Sequence, residues 1–193
     1  MQTDLKRMIA YSSISHMGYV LLGIASLGQV GMTGAALQMF THGTITGLLF
    51  MLVGLVYEKA HTRHIPDLGG LAHRMPLIAI AMTVGGLASL GLPAMSGFVA
   101  ELTVFLGSFP TLPIHTILGI VGIVLTAGYI LWMLQRVLFG PAKERFASVT
   151  DATPVDVIAL VAMIAPIIIV GVYPRILTDI FNAGILPVIQ RLG

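Results

Sequence analysis

The chain has 193 residues, 56% hydrophobic and 9% charged, with a mean hydropathy of +0.96. Soluble domains are about 25% charged, so this composition excludes a single soluble core and points to a polytopic helical membrane protein. A net charge of +2 without a basic run speaks against a nucleic-acid partner, and the absence of cysteine excludes disulfides, thiolate metal sites and iron–sulfur ligation within the sequence.

A polar lead, residues 1–7, precedes a first span over residues 8–27. It is no signal peptide, because the apolar run leads into further spans without a convincing cleavage site. Residues 28–31 read as a tight uncharged turn. A second span covers residues 32–57, long enough to tilt or to bend at Gly43 or Gly47. A polar loop over residues 58–76 holds Lys59, His61, Arg63, His64, Asp67, His73 and Arg74. Residues 77–108 form one crossing in two pieces, 77–92 and 98–108, interrupted near the middle by Pro93 and Gly97. Residues 109–113 turn the chain into a span over 114–138. A polar loop over 140–154 leads to a last crossing, 155–172. The mixed tail, 173–193, reads as interfacial.

The fold class is therefore all-α: a single transmembrane domain of about five crossings, one of them interrupted. With five crossings, Lys6, Arg7, Lys59, Arg63, Arg74, Arg136, Lys143 and Arg145 share one side, eight of the ten basic residues. The positive-inside rule places that side in the cytoplasm. Counting the broken segment as two full crossings would weaken this asymmetry.

Glu101 is the one acid at membrane depth. An acid there is costly and by default a candidate for moving ions or protons, and a broken backbone there needs protein or a hydrated cavity around it. Gln38, His42 and Thr46 follow at i, i+4 and i+8, one helical face. Ser12 and His16 are likewise i and i+4, with Ser15 and Tyr19 on a neighbouring stripe, and Thr126 and Tyr129 lie near the centre of the fourth span. Imidazole titrates near neutral pH and has two distinct nitrogens, so such a set could carry protons through ordered water. Each also has a structural reading. Hydroxyls bond their own helix or glue helices together, His16 and His42 pack, and Glu101 caps the second half-helix. His61, His64 and His73 lack metal-ligand spacing, so no metal site is expected. Nor is a hydrolytic nucleophile, base and oxyanion site discernible.

These residues carry a family resemblance. Asp4-Leu-Lys-Arg-Met-Ile-Ala-Tyr-Ser-Ser-Ile-Ser-His-Met-Gly18 resembles the antiporter-like subunits of complex I, the proton-pumping NADH:quinone oxidoreductase. Met39-Phe-Thr-His-Gly43, Tyr57-Glu-Lys-Ala-His-Thr-Arg63 and Gly91-Leu-Pro with Gly97-Phe-Val-Ala-Glu101 are similar to its M chain, also called chain 4. The match is collinear from Asp4 to about Leu138; the last third matches mainly in pattern.

The resemblance implies a fold of about fourteen helices from two inverted repeats, of which this chain supplies the end of the ninth helix and the last five. It is then the C-terminal portion of a longer subunit, and Met1 marks an internal start or the edge of a truncated gene. Glu101 falls on the family's acid of the interrupted helix, and His42 on a histidine of its hydrophilic axis. Ala94 and Ala100 stand where glycine is common, which would stiffen the break. The family's glutamate and lysines of earlier helices have no counterpart here.

The proton-path candidates are thus Glu101, His42, Gln38, Thr46, His16 and Tyr129, with Pro93 and Gly97 as the break. The expected function is proton translocation as a subunit of an NADH (or other donor):quinone oxidoreductase in a bacterial inner or equivalent energy-transducing membrane. The chain holds no cofactor; NADH, flavin, iron–sulfur clusters and quinone are expected in partner subunits. Its partners would be other membrane subunits, antiporter-like ones included, and the lipid bilayer. A cation/proton antiporter subunit and a non-conducting scaffold are the alternatives.

Overall fold

The computed structural model describes residues 2–192, so the ends of the polar lead and of the tail, Met1 and Gly193, lie outside the described residues. Among the described residues seven α-helices make up the fold: α1 (Leu5–Ala25), α2 (Gln29–Ala60), α3 (Pro76–Ser89), α4 (Ser96–Ser108), α5 (Pro113–Leu138), α6 (Pro154–Val172) and α7 (Arg175–Leu192). Among the described residues no strand forms beyond an isolated bridge between Asp4 and His64. Helices α1, α2, α5 and α6 are long and apolar enough to cross a membrane, and α3 and α4 are shorter apolar pieces.

Helix α2 is the spine. Gly85 of α3 lies against Leu48 and Leu49, whereas Gly34 of α2 meets the backbone of Thr103 and Val104 on α4, and Gly31 meets Gly107. Ascending α3 and then α4 therefore means descending α2, so the two short helices run antiparallel to α2 as one interrupted crossing. Small residues at these contacts let backbones approach closely, the usual packing currency between helices in lipid.

The two loops and the described part of the polar lead meet at one end. Leu5 N–H donates to Arg63 C=O at 3.0 Å, and Ile65 N–H to Thr3 C=O at 2.7 Å. Lys143 Nζ donates to Pro66 C=O and an Arg145 Nη to Asp67 C=O. Asp151 accepts from Leu77 N–H and Ile78 N–H at 2.7 and 3.2 Å. This carboxylate, from the 140–153 loop, satisfies the free N–H groups at the start of α3. The basic residues of the lead and both loops thus share one end.

The structure refines the sequence expectation at several points. The first turn is not residues 28–31: α2 already begins at Gln29, and the reversal is made by Ser26–Leu27–Gly28, with Leu27 at φ 52°. Gly31 looks like a turn residue but is a packing surface, set against Gly23 of α1 and Gly107 of α4. Gly43 and Gly47 do not interrupt α2, which is continuous; Gly47 instead makes room for Met163 of α6. The tail is helical, and Asn182 of α7 accepts from Thr33 Oγ1 at 2.6 Å near the start of α2.

Candidate functional site

The break is built by two consecutive turns. Gly91, at φ 79°, follows the last turn of α3; its N–H donates to Ala88 C=O at 3.3 Å and Leu92 N–H donates to Leu87 C=O at 3.0 Å. This is the Schellman arrangement, which satisfies helix-end carbonyls and needs a residue that accepts positive φ. Met95 N–H then donates to Leu92 C=O at 3.2 Å, closing a turn with Pro93 second and Ala94, at φ 71°, third. That is type II geometry, in which proline presets the second position and glycine is favoured at the third. Helix α4 starts at Ser96, two residues earlier than expected, and a Cβ on Gly97 would strike the Ala88 carbonyl oxygen. Proline thus makes the turn, and Gly97 lets the two half-helices overlap.

Glu101 sits five residues into α4 and is 4% exposed. Its carboxylate accepts no backbone N–H among the described residues, so it does not cap α4. Oε2 faces Gly91, where a Cβ would stand only 2.7 Å away, and Oε1 lies 3.5 Å from Nδ1 of His16. His16, also 4% exposed, is the hub. Its Nδ1 is 3.3 Å from Gln38 Nε2, its Nε2 is 3.4 Å from Ser89 Oγ, and its ring centre is 5.2 Å from that of His42. His42 in turn has Thr46 Oγ1 3.1 Å from its Nδ1.

One ring nitrogen is thus offered both an acceptor and a donor. When His16 Nδ1 carries a proton, it can donate to Glu101; when it is bare, it can accept from the Gln38 amide. Gln38 Oε1 has no partner among the described residues. The enclosed space between His16, Gln38, His42, Ser89, Gly97 and Glu101 is about 10 Å³, on the order of one water.

The structure brings Glu101, His16, Gln38 and His42 together, with Thr46 attached through His42. It does not bring Tyr129 there. Tyr129 donates to Thr126 Oγ1 at 3.4 Å and lines a separate groove with Tyr11, Ser12 and Ser15. The reason is the face that α5 turns toward α1. Ser12 and Ser15 bond the carbonyls of Ile9 and Ser12, a local structural role. Ser89 was not anticipated from the sequence. Its only signal was its place at the last turn before the break, where a side chain can reach a neighbouring helix. His64 pairs with Asp67 at 3.2 Å, and among the described residues no group of three metal-binding side chains converges.

Comparison with known proteins gives a consistent set of similarities. The sequence model of a transmembrane family described as NADH:quinone oxidoreductase/Mrp antiporter matches residues 1–126. NAD(P)H-quinone oxidoreductase chain 4 2 of Synechococcus sp. (strain JA-3-3Ab) is 45% identical over 191 residues, covering 94% of this chain and 36% of that protein. F(420)H(2) dehydrogenase subunit M of Methanosarcina mazei is 44% identical over 178 residues, covering 92% of this chain and 36% of that one. Among solved structures, a chain of respiratory complex I from Thermus thermophilus with bound NADH superposes with a TM-score of 0.93 at 28% identity, over all of this chain and 40% of that chain. The chain therefore spans little more than a third of the length of the curated relatives it matches.

Proposed function

The chain belongs to the NADH:quinone oxidoreductase/Mrp antiporter transmembrane family, and we propose that it forms part of a longer antiporter-like subunit that moves protons in a donor:quinone oxidoreductase. The observation that carries this reading is the buried Glu101 carboxylate, seated at a helix break 3.5 Å from His16 Nδ1. A carboxylate in that place needs either a proton or a cationic partner, and an imidazole beside it can supply both in turn.

In the proposed cycle protons arrive through water along the face of Gln38, His42 and Thr46. His16 receives one and presents it on Nδ1 to Glu101. The 3.5 Å separation is longer than an ionic hydrogen bond, so transfer waits for the pair to tighten or for one water to bridge it. Gln38 then donates to the emptied Nδ1 and holds the ring. Glu101 releases its proton to the opposite side through the break. Each proton moved against the membrane potential costs about 2.3 kcal/mol per 100 mV, which redox chemistry in partner subunits must supply. NADH or another donor, flavin, iron–sulfur clusters and quinone belong to those partners, and other antiporter-like subunits are the membrane neighbours. The end that gathers the basic loops faces the cytoplasm of a bacterial inner membrane or its equivalent.

The test is Glu101→Gln in the assembled complex. Proton pumping and coupled turnover are expected to fall severalfold while the complex still assembles. Normal pumping would overturn the proton role, and a defect in assembly alone would make the chain a scaffold. One further reading is kept because the family description itself includes Mrp antiporters: a subunit of a cation/proton antiporter, which sodium-dependent activity without a redox donor would favour.

A further inference from the structure

At the basic end, remote from Glu101, the last turns of α5 and the two loops enclose an open hollow of about 470 Å³. Its lining includes Trp132, Gln135, Arg136, Phe139 and Lys143. The Arg136 guanidinium lies 4.7 Å from the centre of the Trp132 ring, which fixes the cation by stacking and leaves its N–H edge free. Lys143 Nζ is anchored on Pro66 C=O at 2.6 Å, an oxygen without charge. Among the described residues neither cation has a carboxylate within ion-pairing distance. The acids of the same loops, Asp67, Glu144 and Asp151, do not line the hollow.

The floor is rigid. A Cβ on Gly69 would stand 2.6 Å from Pro141 C=O, and one on Gly70 2.6 Å from Ala142 Cα, so the two loops meet backbone on backbone. The two cations therefore face one space across a preformed base. Below them on the same stripe of α5 the side chains are apolar and, in this part of the longer subunit, uncovered: Leu125 is 68% and Leu118 66% accessible, and Phe139 at the rim is 67% accessible. Tryptophan beside arginine at the end of a membrane helix marks headgroup depth.

We propose that this hollow binds the phosphate headgroup of an anionic phospholipid from the leaflet on the basic side. Arg136 and Lys143 hold the phosphate, Trp132 and Phe139 pack its glycerol region, and the acyl chains descend along the exposed face of α5. A free phosphate would use the cations but leave that apolar track uncovered, and a zwitterionic lipid would bring its own cation into a site that already has two. Basic pockets at the ends of membrane helices select anionic headgroups on this ground.

The test uses the full protein in its membrane assembly, purified in detergent, with thermal unfolding followed as lipid is added. Phosphatidylglycerol is expected to raise the melting temperature, while phosphatidylcholine and inorganic phosphate leave it unchanged. Arg136→Gln and Lys143→Gln should each weaken the phosphatidylglycerol midpoint about fivefold, as loss of one lipid-facing cation predicts. Arg136→Lys with Lys143→Arg keeps both charges and should retain most of the response, which separates binding from misfolding. Arg74→Gln, outside the hollow, should respond like the unmodified protein. An unchanged midpoint in the Arg136→Gln, Lys143→Gln double variant would overturn the proposal. So would an equal response to phosphatidylcholine, or stabilisation by inorganic phosphate alone.

Discussion

Ala94 holds a backbone conformation that its methyl group opposes. At φ 71° in the third position of a type II turn, it stands where glycine carries no Cβ penalty. Ala94→Gly is therefore expected to stabilise the protein by about 1 kcal/mol, read as a higher melting temperature in detergent. Its exposure means that no packing is lost. Asp4 offers a second test at this scale. Partial burial pushes its carboxyl up, but hydrogen bonds from Arg7 N–H and the Arg63 side chain, with the Arg63 charge, outweigh that and hold it below its ordinary 3.8. A depressed folded value means that the stabilisation is present in full above pH 3.8 and is lost as pH falls through the folded value. Asp4→Ala should cost about 1 kcal/mol near neutrality, and the gap between variant and parent melting curves should narrow at strongly acidic pH. At the scale of single residues, Glu101 was legible because a carboxylate inside an apolar run has few explanations. His16 as the hub was not. Its partners lie on α2, α3 and α4, and spacing along α1 says nothing about which face those helices cover.

The spine helix α2 packs through Leu48, Leu49, Leu52 and Val56 toward the basic end, but meets α4 through glycine near its start. A Cβ on Gly34 would lie 2.5 Å from Val104 N and 2.8 Å from Thr103 C, whereas one on Gly54 would meet nothing within 4 Å. Two identical substitutions should then act oppositely. Gly34→Ala must part α2 from α4 and is expected to cost about 1–3 kcal/mol, while Gly54→Ala, exposed in a continuous helix, should be neutral or stabilising by about 0.5–1 kcal/mol. Thermal unfolding of the two variants side by side checks this; equal effects would refute the close approach. The interrupted crossing was legible as an element, since Pro93 and Gly97 stand in mid-span. The first turn was misplaced because Gly28 and Gly31 look alike in sequence and do different work. The helical tail escaped because its apolar residues are interleaved with Arg175, Asp179 and Asn182, a mixture that fits a surface helix as readily as a coil.

Across the whole molecule, the site joins side chains from position 16 to position 101 and exists only when α1, α2 and α4 are all in place. Helices α3 and α4 have 14 and 13 residues, about 20 Å each, against a hydrocarbon core of about 30 Å. Neither can span a bilayer alone, and α4 also carries a carboxylate. This sets an order for biosynthesis. As the nascent chain leaves the ribosome, the translocon is expected to retain α1 and α2 at its lateral gate until residues 76–108 arrive, because α2 carries the surface on which both halves lie, Leu48 and Leu49 for α3 and Gly31 and Gly34 for α4. A chain ending at residue 112 should then integrate residues 96–108 when Gly34 is intact and leave them reachable by a water-soluble thiol label, attached through an introduced Leu102→Cys, when Gly34 is replaced by leucine. Integration unaffected by that replacement would mean that α4 inserts without α2. On this account the break that seats Glu101 also makes one segment's entry into the membrane depend on a helix synthesised before it.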